Sequence, residues 1–226
     1  MNNPAPNELH LRSGLRLADP TGMLRAKFAQ WPWSKYDGDL PPDPDAVTAA
    51  DVERANRLGA RLSYAVWQRL VTAKGPAINA LLVKLPKAAL EDVDLDAIRG
   101  PLVGLFDLVV EKDISISRAT KILYPFRPAL LAVLDSVVEY YYWYATSIAD
   151  EARFRRLQRA SWGEYAFELL ALMRDDIVSA RGALDAVRAS VAGEPFANAS
   201  RVRIVESLIW WYYAREGSAL PPGPDE

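Results

Sequence analysis

The chain has 226 residues, half of them hydrophobic and a quarter charged, with a formal net charge of −2 at neutral pH. That is a globular composition, long enough for one large domain or two small helical lobes sharing a core. It carries no overall basic signal, so any nucleic-acid surface must be a local patch. With no cysteine and one histidine, His10, in a polar leader, disulfides, thiolate-bound zinc, iron–sulfur clusters, a cysteine nucleophile and Ser–His–Asp catalysis are excluded.

Residues 1–20 are polar and broken by Pro4, Pro6, Gly14 and Pro20, and read as a flexible leader. A short amphipathic helix is predicted at 21–31, and Trp31 and Trp33, flanking Pro32, read as an anchor for it. Pro41-Pro42-Asp43-Pro44 forces an extended segment, because each proline biases its predecessor away from helix. Thr48 and Asp51 form a capping-box pattern. After it, Val52, Ala55, Leu62, Ala65, Val66 and Leu70 mark one face of a long helix ending near Gly75. Further helices are predicted at 76–85, 94–99, 101–111 and 117–124, then a strongly apolar one at 135–148, one from Ser161 to Gly193 and one at 200–215. Residues 217–226 read as a flexible tail. Without a run of period-two alternation, the expectation is an all-α, bundle-like domain over 21–216. It would carry a helix–hairpin–helix element at about 101–124.

The richest apolar runs, Ala129–Val138 and Ile204–Tyr213, are too short for a bilayer, which takes about 20 residues. With no apolar signal-peptide core at the N-terminus, the chain is expected to be cytoplasmic.

The segment from Ile114 to Asp135 carries most of the chemistry. A tight turn through Ser115-Ile116-Ser117 opens a helix at Arg118, and the amides of such a helix start favour an anion such as a backbone phosphate. Arg118 and Lys121 lie in or beside that first turn, and the same pattern also serves plain helix packing. Sixteen residues after Ala119 comes Asp135, preceded by Leu130–Leu134 and followed by Ser136-Val137-Val138.

This layout resembles the helix–hairpin–helix DNA glycosylase superfamily, the endonuclease III-like enzymes, whose hairpin reads roughly G-h-G-x-K-T-A and is followed by h-h-D-T/S-x-h. Asp113-Ile114-Ser115-Ile116-Ser117-Arg118-Ala119 takes the hairpin place, and Val133-Leu134-Asp135-Ser136-Val137-Val138 the aspartate place. The stretch from Ser117 to Asp135 also resembles an uncharacterised bacterial domain family of related design, in which a segment like Val202–Trp211 recurs near the C-terminus. The resemblance implies that Asp135 is the catalytic carboxylate and that the hairpin docks double-stranded DNA. It also implies a damaged or phage-type modified base as substrate, and no cofactor or metal.

Asp113 and Ser115 stand where the two hairpin glycines would let the backbone approach a phosphate, and the Asp113 carboxylate would repel it. Ser117 stands where bifunctional members carry a nucleophilic lysine, so the resemblance implies a monofunctional glycosylase without Schiff-base chemistry.

Breaking an N-glycosidic bond builds positive charge on the sugar, which a carboxylate beneath it stabilises. Asp135 at a helix start fits that role and equally fits a plain N-cap. A flipped base needs aromatic walls, and Glu139 is followed by Tyr140, Tyr141, Tyr142, Trp143 and Tyr144. These offer either a base pocket, with Glu139 one turn from Asp135, or a helix buried on both sides. Trp210-Trp211-Tyr212-Tyr213 read as core and interface. Arg155, Arg156 and Arg159 share one helix side and offer either a phosphate-binding patch or a solvated face, with Arg201 and Arg203 weaker candidates. The competing reading is a non-catalytic helix–hairpin–helix module that binds DNA or protein, and a third is an enzyme acting on a small nucleoside-like molecule.

Overall fold

The computed structural model describes residues 8–38, 45–146 and 150–215, which form ten α-helices and one short antiparallel hairpin. The Pro41–Pro44 segment, the end of the 135–148 helix and the 217–226 tail lie outside the described residues.

The hairpin corrects the expected loose leader. β1 (Glu8–His10) pairs with β2 (Arg16–Ala18), Leu9 opposite Leu17. Leu9, Leu11, Leu15 and Leu17 all point into the core, a period-two pattern interrupted only by the turn. Gly14, at φ 106°, makes that turn where a side chain would be strained. Asp176 fixes it from inside, accepting hydrogen bonds from the Ser13 amide and hydroxyl, both at 2.7 Å.

α1 (Pro20–Gln30) starts at the Asp19 cap, and a 3₁₀ turn follows at Trp33–Lys35. The long helix expected after Thr48 is broken into α2 (Ala49–Arg57) and α3 (Tyr64–Gln68). Gly59 and Arg61 take positive φ between them, and the Asn56 side-chain amide brackets the bend by bonding both the amide and the carbonyl of Leu62. Apolar periodicity continues across the break because Leu62 and Val66 are buried on the same side as Ala55.

α3 widens into a π-turn at Arg69–Ala73 before α4 (Gly75–Leu82). The two helices expected at 94–99 and 101–111 are one, α5 (Leu95–Val109), with Pro101 inside it. A proline there forfeits one helical hydrogen bond, and burial of Ile98, Leu102, Leu105 and Phe106 carries the helix through. A turn bridged between Glu111 and Ile114 leads to α6 (Ile116–Leu123), so the expected helix pair is present.

The helix expected at 135–148 is a short α7 (Ser136–Tyr140) that loosens into a π-turn at Tyr141–Ala145. α8 (Glu151–Ala160), α9 (Trp162–Ser190) and α10 (Arg201–Arg215) complete the chain. α9 is the central strut. It packs along α5 so closely that Gly163 admits no side chain against the Val103 backbone. One main core joins residues from Leu9 to Ile209, with a small separate cluster of Tyr36, Tyr124 and Val133 beside it. Among the described residues no helix is long and apolar enough to cross a membrane.

Candidate functional site

After α6 a 3₁₀ turn at Tyr124–Phe126 leads into an irregular stretch that reaches α7 and is held by side chains. The Leu134 amide donates to Thr120 Oγ1 of α6 at 3.1 Å, and the Val133 amide to Glu206 Oε2 of α10 at 3.3 Å. Asp135 then opens α7, its Oδ1 accepting from the Val137 and Val138 amides at 3.1 Å each. The carboxylate is therefore an N-cap. It also lines a cleft of about 260 Å³, near the lower end of the ~300–1,000 Å³ usual for ligand sites. Its Oδ2 accepts no hydrogen bond among the described residues.

The cleft lies between α1, the turn at 31–37, the end of α2, α6 and α10. Its apolar walls include Phe28, Trp31, Tyr36 and Trp210, and its charged lining includes Lys27, Lys35, Lys121 and Arg203. Trp31 stands 48% exposed at the rim, its ring edge-on to Trp210 at 6.2 Å.

At the base lies a buried charge cluster. Arg203 donates to Asp37 at 2.9 Å and to Glu206 at 2.6 Å, while its guanidinium sits 5.7 and 5.4 Å from the rings of Tyr36 and Tyr124. Those two rings stack at 5.6 Å, and the Tyr36 hydroxyl donates to the Lys121 carbonyl. Lys27, only 6% exposed, donates to Ser207 Oγ at 2.6 Å and has no carboxylate within ion-pairing distance among the described residues.

Low dielectric moves the titrating groups toward neutrality. Burial, with repulsion from Glu206, raises Asp135 to about 6, against the pull of the Val138 amide, Lys121 and Lys27. Burial, with repulsion from Arg203, lowers Lys27 to about 7, against the pull of Glu206, Asp37 and Asp135. Burial also lowers Lys121.

Of the residues singled out in the sequence, the fold brings Asp135 and Lys121 together in this cleft. Arg203 joins them, while Glu139, Tyr140–Tyr144, the turn serines, Arg118 and the α8 arginines lie outside its lining. Glu139 accepts from the Tyr165 hydroxyl at 2.6 Å. Burial raises it to about 8, the Tyr165 bond opposing and the charge of Asp135 adding. Tyr141 and Trp143 are buried in the core, and Tyr140 stacks on Tyr144 at 5.3 Å. In the α5–α6 turn, Ser115 is exposed and Ser117 half-buried. Arg118 donates to the Asp113 carbonyl, and Glu111 is held by Arg69 and Lys74. On α8, Arg155 pairs with Glu151 and Arg153 with Glu168, and Arg156 and Arg159 are exposed. Arg201 is spent on Glu91 and Asp185.

Two readings of aromatic residues change. Trp31 and Trp210, taken as anchor and core, are cleft walls. Lys27, Asp37 and Glu206 were not singled out at all. The sign that could have found them is a charge in phase with a buried face. Lys27 follows Met23 and Leu24 on the apolar side of α1, and Arg203 and Glu206 sit one turn apart within the run Val202–Ile209, buried on all sides.

Residues 20–213 match the sequence model of a protein family described as a family of unknown function, DUF6308. No curated protein and no solved structure matches the chain.

Proposed function

We propose that this chain, which belongs to the DUF6308 family, is a monofunctional N-glycosylase that hydrolyses the bond between sugar and base in a flipped, damaged or modified nucleotide of DNA. The observation that carries the reading is Asp135. One of its oxygens is fixed on the α7 amides and the other accepts no hydrogen bond among the described residues, in a cleft walled by aromatic rings and lined by lysines. A flipped base stacks on such walls, and a carboxylate shifted to about 6 is mostly ionised at neutral pH. As the bond from C1′ to the base nitrogen breaks, its electron pair leaves with the base. The Asp135 carboxylate then stabilises the sugar cation and takes a proton from the water that attacks C1′. The spacing from the α5–α6 turn to Asp135, which resembles the helix–hairpin–helix glycosylases, supports the same reading.

The test incubates duplexes bearing a panel of modified bases with the wild type and with Asp135→Asn, then cleaves abasic sites with alkali. Base release by the wild type, reduced by about 10²–10⁴-fold in the variant, is expected. Equal release by both removes Asp135 from the chemistry.

One observation favours the second reading, a binding module without catalysis. The turn that would grip phosphate presents Glu111 and Asp113, and Arg118 is bonded to the turn's own backbone. Such a turn suits a protein partner better than phosphate, and no base release together with no salt-sensitive duplex binding would favour that module over the glycosylase.

A further inference from the structure

Charged groups buried without a direct ion-pair partner are expensive, and a lysine in such a place that opens on a cleft is a candidate for proton transfer. Lys27 is such a group. Its amine reaches the cleft from α1, is 6% exposed, and has the Ser207 hydroxyl as its hydrogen-bond partner. It lies 4.8 Å from the Phe28 ring and 6.0 Å from the Trp210 ring, both of them cleft walls. Phe28 is buried and stacked on Phe196 at 4.7 Å, so Trp31 and Trp210 are the rings a base would meet, with the Lys27 amine in the same cleft.

We infer that Lys27 is the general acid that protonates the departing base, an inference resting on the reading of Asp135 as the carboxylate that acts on the sugar. The balance is complete without a further reactant. The electron pair of the breaking bond stays on the base nitrogen, which takes a proton from the Lys27 ammonium. Water adds its hydroxyl to C1′ and gives its proton to Asp135, and that proton returns to the Lys27 amine through solvent.

The other cleft cations fit this role less well. Arg57 and Arg203 are guanidiniums and do not give up a proton, Arg203 being locked between Asp37 and Glu206. Lys35 is exposed and hydrated at the rim. Lys121 is half-buried on α6. Glu139, a protonated acid near neutral pH, is bonded to Tyr165 outside the cleft. The groups whose charges reach Lys27 are Arg203 and Glu206 from α10, Asp37 from the turn after α1, and Asp135 before α7. Their combined charge lets the amine hold a proton near neutral pH and still release it.

A substrate pair isolates the step. A neutral guanine or adenine must be protonated as it leaves. 7-methylguanine and 3-methyladenine, cationic in the nucleotide, leave already neutral and need no acid. Duplexes carrying each pair at one position are incubated with the wild type, Lys27→Met and Asp135→Asn. The inference requires Lys27→Met to slow release of the unmethylated base by about 10²–10⁴-fold and of its methylated partner by less than about tenfold. The alkaline limb of the pH profile should also disappear. An equal loss on both, or no loss on either, overturns it. Asp135→Asn should slow both alike. If it does not, the carboxylate reading fails, separately from the assignment of Lys27.

Where Lys27→Met lacks a cooperative unfolding transition, Lys27→Gln takes its place with the same expected split between the two substrates, since it keeps a donor for Ser207 and has no acidic proton to give. If the wild type releases none of these bases, lysine-¹⁵N-labelled protein is titrated with free adenine as the probe. The Lys27 signal must then shift with adenine, and a fixed Lys27 signal overturns the inference.

Discussion

Replacing Lys27 by methionine should make the protein more stable at neutral pH and remove a distinctive pH dependence. In the folded chain the amine is lowered from 10.5 to about 7, chiefly by burial. Between those values the unfolded chain holds more protons than the folded one, so stability rises with pH across that window. The penalty of burying the ammonium is fully present below about pH 7 and is gone above about 10.5. Each pH unit within the window changes stability by about 1.4 kcal/mol. From pH 7 to 9 the wild type therefore gains roughly 2–3 kcal/mol relative to Lys27→Met.

The raised acids act oppositely. Asp135, shifted from 3.8 to about 6, and Glu139, from 4.5 to about 8, make stability fall as pH rises through those intervals. Both remain in the variant, so the difference between the two proteins is chiefly that of Lys27, with a smaller part from Asp135, which Lys27 holds down. Urea unfolding of both at pH 6, 7, 8 and 9 reads that difference. Lys27→Met should lead at pH 6 and 7 and lose most of its advantage by pH 9. A constant offset across the range would show that Lys27 does not titrate near neutrality and would sink the reasoning.

Asp176→Ala removes the acceptor of the Ser13 amide and the Tyr142 hydroxyl, and one of the two partners of the Ser13 hydroxyl, which also bonds the Tyr141 hydroxyl. At about 1–3 kcal/mol per stranded group, a loss of roughly 3–5 kcal/mol is expected in urea unfolding. A loss below about 1 kcal/mol would mean that the hairpin is not pinned through Asp176. Gly163→Ala drives a methyl into the Val103 carbonyl where α9 crosses α5. It should cost about 1–3 kcal/mol by the same assay, and neutrality would deny the close approach.

Much of the helical architecture is legible in the sequence because burial and periodicity coincide there. The Ser161 cap and the apolar stripe of α9 are plain, as is the Thr48 and Asp51 box. The misses have local causes. Leu9, Leu11, Leu15 and Leu17 alternate as a strand pair should, but the run is short and lies among residues that read as a leader. The break between α2 and α3 leaves the apolar spacing intact, so only Gly59 and the Asn56 bracket betray it. The cleft itself is assembled from residues far apart in the chain. Asp135 stands out beside an apolar run, whereas Lys27 and Trp210 acquire meaning only when α1 and α10 pack together. The five aromatics from Tyr140 to Tyr144 look like a wall in the sequence and mostly fill the core, because the π-turn spreads successive rings around the helix.

The buried charges explain why two groups from distant segments could titrate within about one pH unit of each other. Arg203 is shared between Asp37 and Glu206, so the cluster carries one surplus negative charge inside the protein. That surplus opposes ionisation of Asp135, where Glu206 is the leading charge after burial. It also favours the ammonium of Lys27, where Glu206 and Asp37 counter the repulsion of Arg203. Both groups are thus held above where burial and the remaining charges alone would set them. Neutralising Glu206 should move both limbs of a pH–rate profile in the same direction, toward acid, because each proton loses the same source of attraction. Glu206→Gln, which keeps an acceptor for Arg203, tests this on any substrate the protein turns over. Limbs that move apart, or stay fixed while folding is intact, would show that the two groups are tuned separately and that the cluster serves only to hold α10 against the turn after α1.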